Sequence, residues 1–288
     1  MEERELDPAE NSIVRKYRRK LWLPFLSAVK KYQLIQEGDC VAACISGGKD
    51  SMMMAKCLQH LQKYSDFPFE VKYLVMDPGY NVVNRQRIVD NAAVLHLPIQ
   101  IIDTKIFEIV GETDRSPCYL CAKMRRGCLY RHAQELGCNK IALGHHFDDV
   151  IETILMSVLY GAEVRTMMPK LHSAHYSGME LIRPLYLVRE DDIIAWGKYN
   201  GLSFLRCACR FTENCANGMN SSKRQETKQL IRKLKLENPN VDKNIFHSVE
   251  NVNLETVVAY RDGGRIHNFL EDYNKDSAAK TDKIDPFA

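Results

Sequence analysis

The stretch VAACISGGKDS, residues 41–51, decides the fold. Its first five residues form the apolar run of a short buried strand, and residues 50–64 carry apolar side chains at helical spacing. Between the two, Gly47 and Gly48 let the backbone turn tightly and bring successive N–H groups near an anion, at the positive end of the helix dipole. The stretch therefore predicts a strand, a phosphate-binding loop and a helix.

The side chains of this loop suit a phosphate ligand. Ser46 and Ser51 can donate hydroxyl groups, Lys49 can neutralise phosphate charge, and Asp50 can orient the loop or hold Mg²⁺. The G-x-x-x-x-G-K-[ST] spacing of a Walker A loop is absent. The loop instead resembles the S-G-G-x-D-S pattern of pyrophosphate-loop (PP-loop) enzymes. That resemblance implies cleavage of ATP between its α and β phosphates and adenylation of a carbonyl-type oxygen; a plain strand–turn–helix connection is the alternative.

Strand-like and helix-like runs alternate around this loop. Continuous apolar strands between helices are typical of a parallel sheet covered by helices on both faces, so we expect an α/β fold with helical appendages at both termini. Further strands are predicted at 71–76, 97–102 and 140–143, and further helices at 81–96, 119–136, 148–160 and 189–200. The predicted divisions are an N-terminal basic helical segment (1–37), a catalytic domain (38–210), a helical C-terminal segment (211–271) and a disordered tail (272–288).

Composition limits the class of protein. The chain has 288 residues, 45% hydrophobic and 27% charged, which are ordinary globular values. The sequence contains no apolar run long enough to cross a membrane, and its acidic N-terminus lacks the apolar core of a secretory signal, so we expect a cytoplasmic protein. The net charge of +3 does not by itself indicate a nucleic-acid partner. The basic run at 15–20, followed by Trp22, is either an RNA contact or a solvated helix face.

A second motif, LGHHFDD at 143–149, follows the fourth predicted strand. Ligands of parallel sheets bind where the strands end, and Gly144 allows close backbone approach there. Asp148 and Asp149 begin the next helix, where a carboxylate can cap the helix or hold Mg²⁺ near a nucleotide. Beside the phosphate loop we favour a site role for at least one of them; His145 and His146 either contact substrate or only pack.

Ten cysteines are many for a chain in a reducing compartment, and they suggest metal, redox or catalytic work. Cys118 and Cys121 form a C-x-x-C at a predicted helix start, and Cys207, Cys209 and Cys215 form a later group. Alone, the C-x-x-C is a redox pair, half of a zinc site or part of an iron–sulfur site. Arg125 and Arg126 lie one helical turn after this pair, where their positive charge would stabilise a thiolate and would also attract RNA phosphate.

Together these motifs resemble one family, the tRNA 2-thiocytidine synthetases of the PP-loop superfamily. The resemblance runs over roughly 35–210 and rests on the phosphate loop, the C-x-x-C and several short segments. Those segments are Arg125-Arg126-Gly127, the 143–149 motif, Tyr160-Gly161, Pro169-Lys170-Leu171 and Ile182-Arg183-Pro184-Leu185.

The resemblance implies an adenine-nucleotide α-hydrolase fold, a [4Fe–4S] cluster, ATP and Mg²⁺. ATP would adenylate the C2 oxygen of a cytidine in the tRNA anticodon loop, sulfide carried by the cluster would attack C2, and AMP would leave. The implied cluster ligands are Cys118, Cys121 and Cys207; Cys209 is an alternative third ligand, because no proline precedes Cys207 as in the family pattern. A sulfur donor such as a cysteine desulfurase is implied, and a homodimer is left open.

The expected site residues follow. The ATP-binding set is Ser46, Gly47, Gly48, Lys49, Asp50, Ser51, Met76, Gly144 and Asp149, of which Lys49, Asp50 and Asp149 are the catalytic residues. The tRNA contacts are Arg18, Arg19, Arg125 and Arg126. Two alternatives stay open: a PP-loop sulfurtransferase or amidotransferase acting on a small molecule or another nucleobase, and a non-catalytic, zinc-binding RNA-binding protein.

Overall fold

One mixed sheet organises the chain. The computed structural model describes residues 7–111, 117–205 and 223–273. The strands of this sheet are β1 (Cys40–Ile45), β2 (Glu70–Asp77), β3 (Ile99–Asp103), β4 (Lys140–Ala142), β5 (Lys170–His172) and β6 (Glu180–Ile182). Their order is β3-β2-β1-β4-β6-β5, and all neighbours run parallel except β5, which is antiparallel to β6 at the edge. The predicted parallel α/β sheet is confirmed. Strands β5 and β6 are not among the strands predicted from the sequence, because three-residue strands are too short to show periodicity.

Helices cover the sheet. They are α1 (Pro8–Asn11), α2 (Leu23–Lys31), α3 (Lys49–Tyr64), α4 (Val82–Val94), α5 (Ile106–Gly111), α6 (Pro117–Glu135), α7 (Phe147–Gly161), α8 (Glu190–Tyr199), α9 (Lys223–Glu237), α10 (Val241–Ser248) and α11 (Leu270–Tyr273). Two π-helical turns, Ser12–Lys16 and Arg18–Trp22, join α1 to α2. No helix within the described ranges is both long and apolar enough to span a bilayer.

Strand β1 shows how the core is divided. Val41, Ala43 and Ile45 pack on one face with the apolar residues of α3 and the N-terminal helices. Ala42 and Cys44 pack on the other face, against residues of α6. Because both faces of the strand are buried, its sequence is continuously apolar, as expected for a central parallel strand.

The N-terminal segment is anchored by buried charge. Lys56 of α3 is 1% exposed, and its ammonium contacts the Asp7 carboxylate and donates to the Leu95 carbonyl oxygen at 3.0 Å. Glu10 lies 2.6 Å from the His60 ring. Since a buried ammonium is costly unless paired, these contacts hold the segment against α3.

The C-terminal part packs on α7. The ring of Phe246 in α10 stacks on Phe147 at 4.6 Å. Beyond it, β7 (Ala259–Asp262) and β8 (Arg265–Asn268) form an antiparallel hairpin within the segment predicted to be helical. Gly263 and Gly264 connect the strands with positive φ angles of +54° and +85°, the conformation of a tight hairpin turn. The four predicted chain divisions stay a prediction, and residues 274–288 of the expected tail lie outside the described residues.

The strand order creates a crevice. The chain passes from β1 outward to β2 and β3, then returns to β4 on the opposite side of β1. The connections that follow β1 and β4 therefore leave the sheet in opposite directions. In open α/β sheets such a switch point is where ligands bind. Both motifs singled out in the sequence begin here.

Candidate active site

The loop after β1 is tied together by its own serines. The Ser51 hydroxyl donates to the Gly48 carbonyl oxygen at 2.9 Å and accepts from the Ser46 N–H at 3.1 Å. The two hydroxyl oxygens are 3.2 Å apart. These contacts fix the loop conformation within the protein itself. Gly48 is the N-cap residue of α3 and places no side chain over the helix N-terminus.

Two glycines of the site cannot carry a side chain. Gly47 has a φ of +79°, and a Cβ there would lie 2.7 Å from Ile88 Cγ1. A Cβ on Gly144 would lie 2.9 Å from the Ser51 nitrogen and 3.0 Å from the Asp50 carbonyl carbon. The start of the second motif therefore rests directly on the backbone of the phosphate loop.

Lys49 lies between two carboxylates. Its ammonium is 3.1 Å from Asp50 Oδ2 and 3.0 Å from Glu190 Oε1. Burial alone would lower the pKa of Lys49, but Asp50 and Glu190 outweigh it and raise that pKa. Burial would likewise raise the pKa of Glu190, yet Lys228 and Lys49 lower it to about 2. Lys49 and Glu190 are therefore both charged at neutral pH.

One carboxylate oxygen of Asp50 is a candidate metal ligand. Burial raises the pKa of Asp50, with His146 and Lys49 partly offsetting that effect. Among the described residues its buried Oδ1 has no hydrogen-bond partner, and His146 Nε2 lies 3.7 Å away. A buried carboxylate oxygen at the mouth of a phosphate loop suits Mg²⁺, which is usually held by one or two carboxylates together with substrate phosphates. Within the described ranges, no three His, Cys, Asp or Glu side chains form a preassembled metal-binding group.

The two aspartates of the second motif make structural contacts. Asp148 Oδ2 accepts from the Glu190 N–H at 2.8 Å, at the start of α8. Asp149 Oδ2 accepts from the His146 N–H, and His146 Nδ1 accepts from the Asp149 N–H, which completes a capping box. In this structure Asp149 therefore acts in capping α7, one of the two roles expected from the sequence. Its role in ATP or Mg²⁺ binding stays a prediction.

His145 is held neutral. Burial and the charge of Arg183 lower the pKa of His145 to about 4. Its Nδ1 is buried and has no hydrogen-bond partner within the described part of the chain. The imidazole therefore has an unpaired nitrogen beside Gly144, which the sequence motif could not show.

Two adjoining cavities flank the loop, of about 510 Å³ and about 700 Å³. Of the predicted ATP-binding residues, those lining the smaller cavity are Ser46, Asp50, Ser51, Met76, Gly144 and Asp149. Gly48 and Lys49 line the larger cavity, and Ser46, Asp50 and Arg125 line both. Glu190 and Arg224 also line these cavities but were missed from sequence, since neither lies in a recognisable motif.

The C-x-x-C lies on the helix that faces the loop. Helix α6 begins at Pro117, and it lines the smaller cavity with Ala122, Arg125, Arg126 and Leu129. The half-buried Cys121 packs beside Met76 and Cys128. The Cys118 side chain, and Cys207, Cys209 and Cys215, lie outside what the structure describes. The chain on either side of 206–222 is held at the site, because the Leu205 N–H donates to the Gly47 carbonyl oxygen at 3.2 Å and Arg224 contacts Asp149.

The predicted tRNA contacts fall in two places. Arg125 and Arg126 face the cavities. Arg18 and Arg19 are exposed on the N-terminal segment, which packs on α8 through a hydrogen bond from the Tyr17 hydroxyl to the Ala195 carbonyl oxygen at 3.1 Å. They line neither cavity, so the structure separates the four arginines into two pairs.

The fold, the loop and its position at the switch point define a PP-loop nucleotide-binding protein, and a model of the PP-loop domain matches residues 23–214. The chain is 36% identical over 232 residues to the tRNA-cytidine(32) 2-sulfurtransferase of Legionella pneumophila (strain Paris), covering 78% of each chain. It is 34% identical over 250 residues to that of Photobacterium profundum, covering 84% and 79%. The Coxiella burnetii (strain RSA 493) protein is 35% identical over 231 residues, covering 78% and 86%. The chain therefore belongs to the tRNA 2-thiocytidine synthetase family of PP-loop proteins.

A solved structure shows the same fold. The chain resembles the U34-tRNA thiolase NcsA from Methanococcus maripaludis, solved with its [4Fe-4S] cluster, with a TM-score of 0.62 and 21% identity. The match covers 79% of this chain and 76% of that chain.

Proposed function

We propose that this chain is an ATP-dependent tRNA sulfurtransferase that converts a cytidine of the anticodon loop into 2-thiocytidine. One observation carries the proposal: a single cavity has the phosphate loop on one wall and the C-x-x-C helix α6 on the other. A reaction that activates an oxygen with ATP and then replaces it with sulfur needs both functions beside one substrate atom. The names of the relatives support cytidine in tRNA as the acceptor.

ATP makes the C2 oxygen a good leaving group. That oxygen attacks the α-phosphorus, and the bond to the β-phosphate breaks to release pyrophosphate. The backbone N–H groups at the start of α3 suit the departing pyrophosphate, and Lys49 supplies positive charge beside them. Asp50, whose buried Oδ1 has no hydrogen-bond partner in the described part of the chain, is the candidate ligand for Mg²⁺.

Sulfur arrives from the side of helix α6. The residues proposed to hold a [4Fe–4S] cluster are Cys118, Cys121 and one of Cys207 or Cys209. When bound, the cluster supplies an activated sulfur nucleophile. Sulfur attack at C2 breaks the C2–O bond, and the former C2 oxygen departs with AMP. The position of half-buried Cys121, one turn before the cavity-lining Arg125, supports its part in this proposal.

RNA binding is assigned to the two arginine pairs. Arg125 and Arg126 would contact phosphates next to the target nucleotide, and Arg18 and Arg19 would contact the RNA farther from it, because backbone contacts position a substrate without reading its sequence. A cysteine desulfurase as the sulfur source and a homodimer are further proposals.

The test is substitution of Cys121 by Ala, with Cys40→Ala as the matched control. Cys40 is also half-buried but lies at the opposite end of β1 from the phosphate loop. The anaerobically purified wild type is expected to contain about four iron and four sulfide per chain, as one cluster requires. Cys121→Ala should lose the brown chromophore and should not restore 2-thiocytidine to the tRNA of a deletion strain. Cys40→Ala should retain both.

Three results would count against the proposal. Stoichiometric zinc without iron would favour a non-catalytic RNA-binding protein. Unchanged 2-thiocytidine in the deletion strain would favour a small-molecule acceptor. Full cluster content in Cys121→Ala would remove this residue from the ligand set.

A further inference from the structure

One residue of helix α9 lines the smaller of the two cavities, here named the nucleotide cavity. Arg224, the second residue of α9, lies 2.7 Å from Asp149 Oδ1 and 3.5 Å from Glu152 Oε2, both measured from its Nη1. The same side chain lines the cavity of about 510 Å³ together with Ser46, Asp50 and Gly144. Arg224 follows the cysteine-bearing segment in sequence and is not among the expected ATP-binding residues.

The two carboxylates orient the Arg224 guanidinium without engaging all of its N–H donors. Both carboxylate contacts involve Nη1, whereas a guanidinium offers five N–H donors in a planar fork. The side chain remains 43% exposed. Asp149 is itself immobilised by the capping box at the start of α7, so the arginine is oriented by a rigid partner. Such a fork is well matched to the oxygens of a phosphate.

We propose that Arg224 is a phosphate-binding residue of the nucleotide site. Its guanidinium donates hydrogen bonds to a phosphate of ATP and balances the negative charge that develops on the α-phosphate during attack. Asp149 and Glu152 are its positioning residues. This inference rests on the proposed function only in requiring that the phosphate loop binds ATP; it needs neither tRNA nor the cluster.

None of the other basic residues of α9 lines this cavity. Lys228 pairs with Glu190, and Lys235 lies 2.8 Å from Asp242. Arg232 is exposed two turns beyond Arg224 and lies outside the nucleotide cavity. Arg224 alone of these four lines the cavity that the phosphate loop also lines, so a nucleotide phosphate is its fitting ligand rather than the backbone of an RNA lying across the helix.

The experiment compares Arg224→Gln with Arg232→Gln, which removes the same charge from the same helix. Isothermal titration of the anaerobic full-length protein would measure the affinity for adenosine, AMP and Mg²⁺–ATP. Arg224→Gln should bind AMP, ATP or both at least about tenfold more weakly, as expected for loss of a charged hydrogen bond. Its affinity for adenosine should not change. Arg232→Gln should match the wild type for all three ligands.

A purely structural role predicts a different pattern. If Arg224 only docked α9, its loss would weaken the binding of adenosine, AMP and Mg²⁺–ATP equally or leave all three affinities unchanged, and either result overturns the proposal. A loss confined to tRNA binding overturns it too. If Arg224→Gln does not fold, Arg224→Lys provides the test. Lysine keeps the positive charge beside Asp149 but lacks the planar fork of donors. This variant should therefore bind AMP, ATP or both more weakly while its affinity for adenosine is unchanged. A wild type that binds AMP normally but forms no 2-thiocytidine would refute the proposed function and leave this inference standing.

Discussion

The contact between Gly144 and the phosphate loop can be tested with one methyl group. In Gly144→Ala the new Cβ would lie 2.9 Å from the Ser51 nitrogen, whereas ordinary van der Waals contact begins at 3.4 Å. The nearest atoms are all backbone, so no side chain can rotate away. The loop and the second motif must therefore separate by about half an ångström.

The cost follows from that separation. Overpacking a rigid contact destabilises a protein by about 1–3 kcal/mol, and a backbone clash belongs at the upper end of that range. A displacement approaching 1 Å at a reacting centre can cost about 100-fold in rate. We expect Gly144→Ala to lower the free energy of unfolding by about 2–3 kcal/mol and the affinity for Mg²⁺–ATP by at least about tenfold.

Gly161→Ala is the matched control. Gly161 is the last residue of the same helix, α7, and a Cβ there would meet no atom within 4 Å. Urea unfolding and calorimetric ATP titration of both variants would measure the two effects. If Gly144→Ala equals Gly161→Ala in both stability and ATP affinity, the close approach of the two motifs is not a constraint and this reasoning is refuted.

Two further predictions concern the charges at the loop. Burial raises the pKa of Asp50, so the folded chain binds its proton more tightly than the unfolded chain, and stability is lost as pH rises through that pKa. Asp50→Asn should therefore unfold at higher urea concentration than wild type at pH 7 while losing adenylation activity; equal or lower stability would contradict this. The pKa of Glu190 is shifted in the opposite direction, so its effect on stability has the opposite pH dependence. Its pKa is lowered to about 2 by Lys228 and Lys49 against the effect of burial, so its contribution is present above pH 4.5 and lost as pH falls towards 2. Glu190→Gln should lower the free energy of unfolding at pH 7 by about 2–3 kcal/mol, and its difference from the wild type should become smaller in acid. Asp192→Asn is the control. It loses a surface ion pair with Lys20 and should lower the free energy of unfolding by less than about 1 kcal/mol. If the difference in stability between Glu190→Gln and the wild type does not depend on pH, the lowered pKa of Glu190 is contradicted.

The features predicted correctly from sequence are local ones. The strand, glycine loop and helix at 40–64 are consecutive in the chain, so residue order alone predicts this unit. The same holds for the 143–149 motif and for the start of the C-x-x-C helix. The family likewise follows from motifs that each occupy a few neighbouring positions.

Tertiary structure decided the rest. Gly144 meets Ser51 because β4 pairs with β1 on the side opposite β2. Arg224 reaches Asp149 across 75 positions, and Glu190 joins Lys49 to Lys228. Asp149, expected to bind ATP or Mg²⁺, makes the local capping box and also contacts Arg224, which no local pattern indicates. Periodicity and motif spacing encode the local backbone, whereas contacts between distant residues depend on strand order and helix docking, which the whole chain determines together.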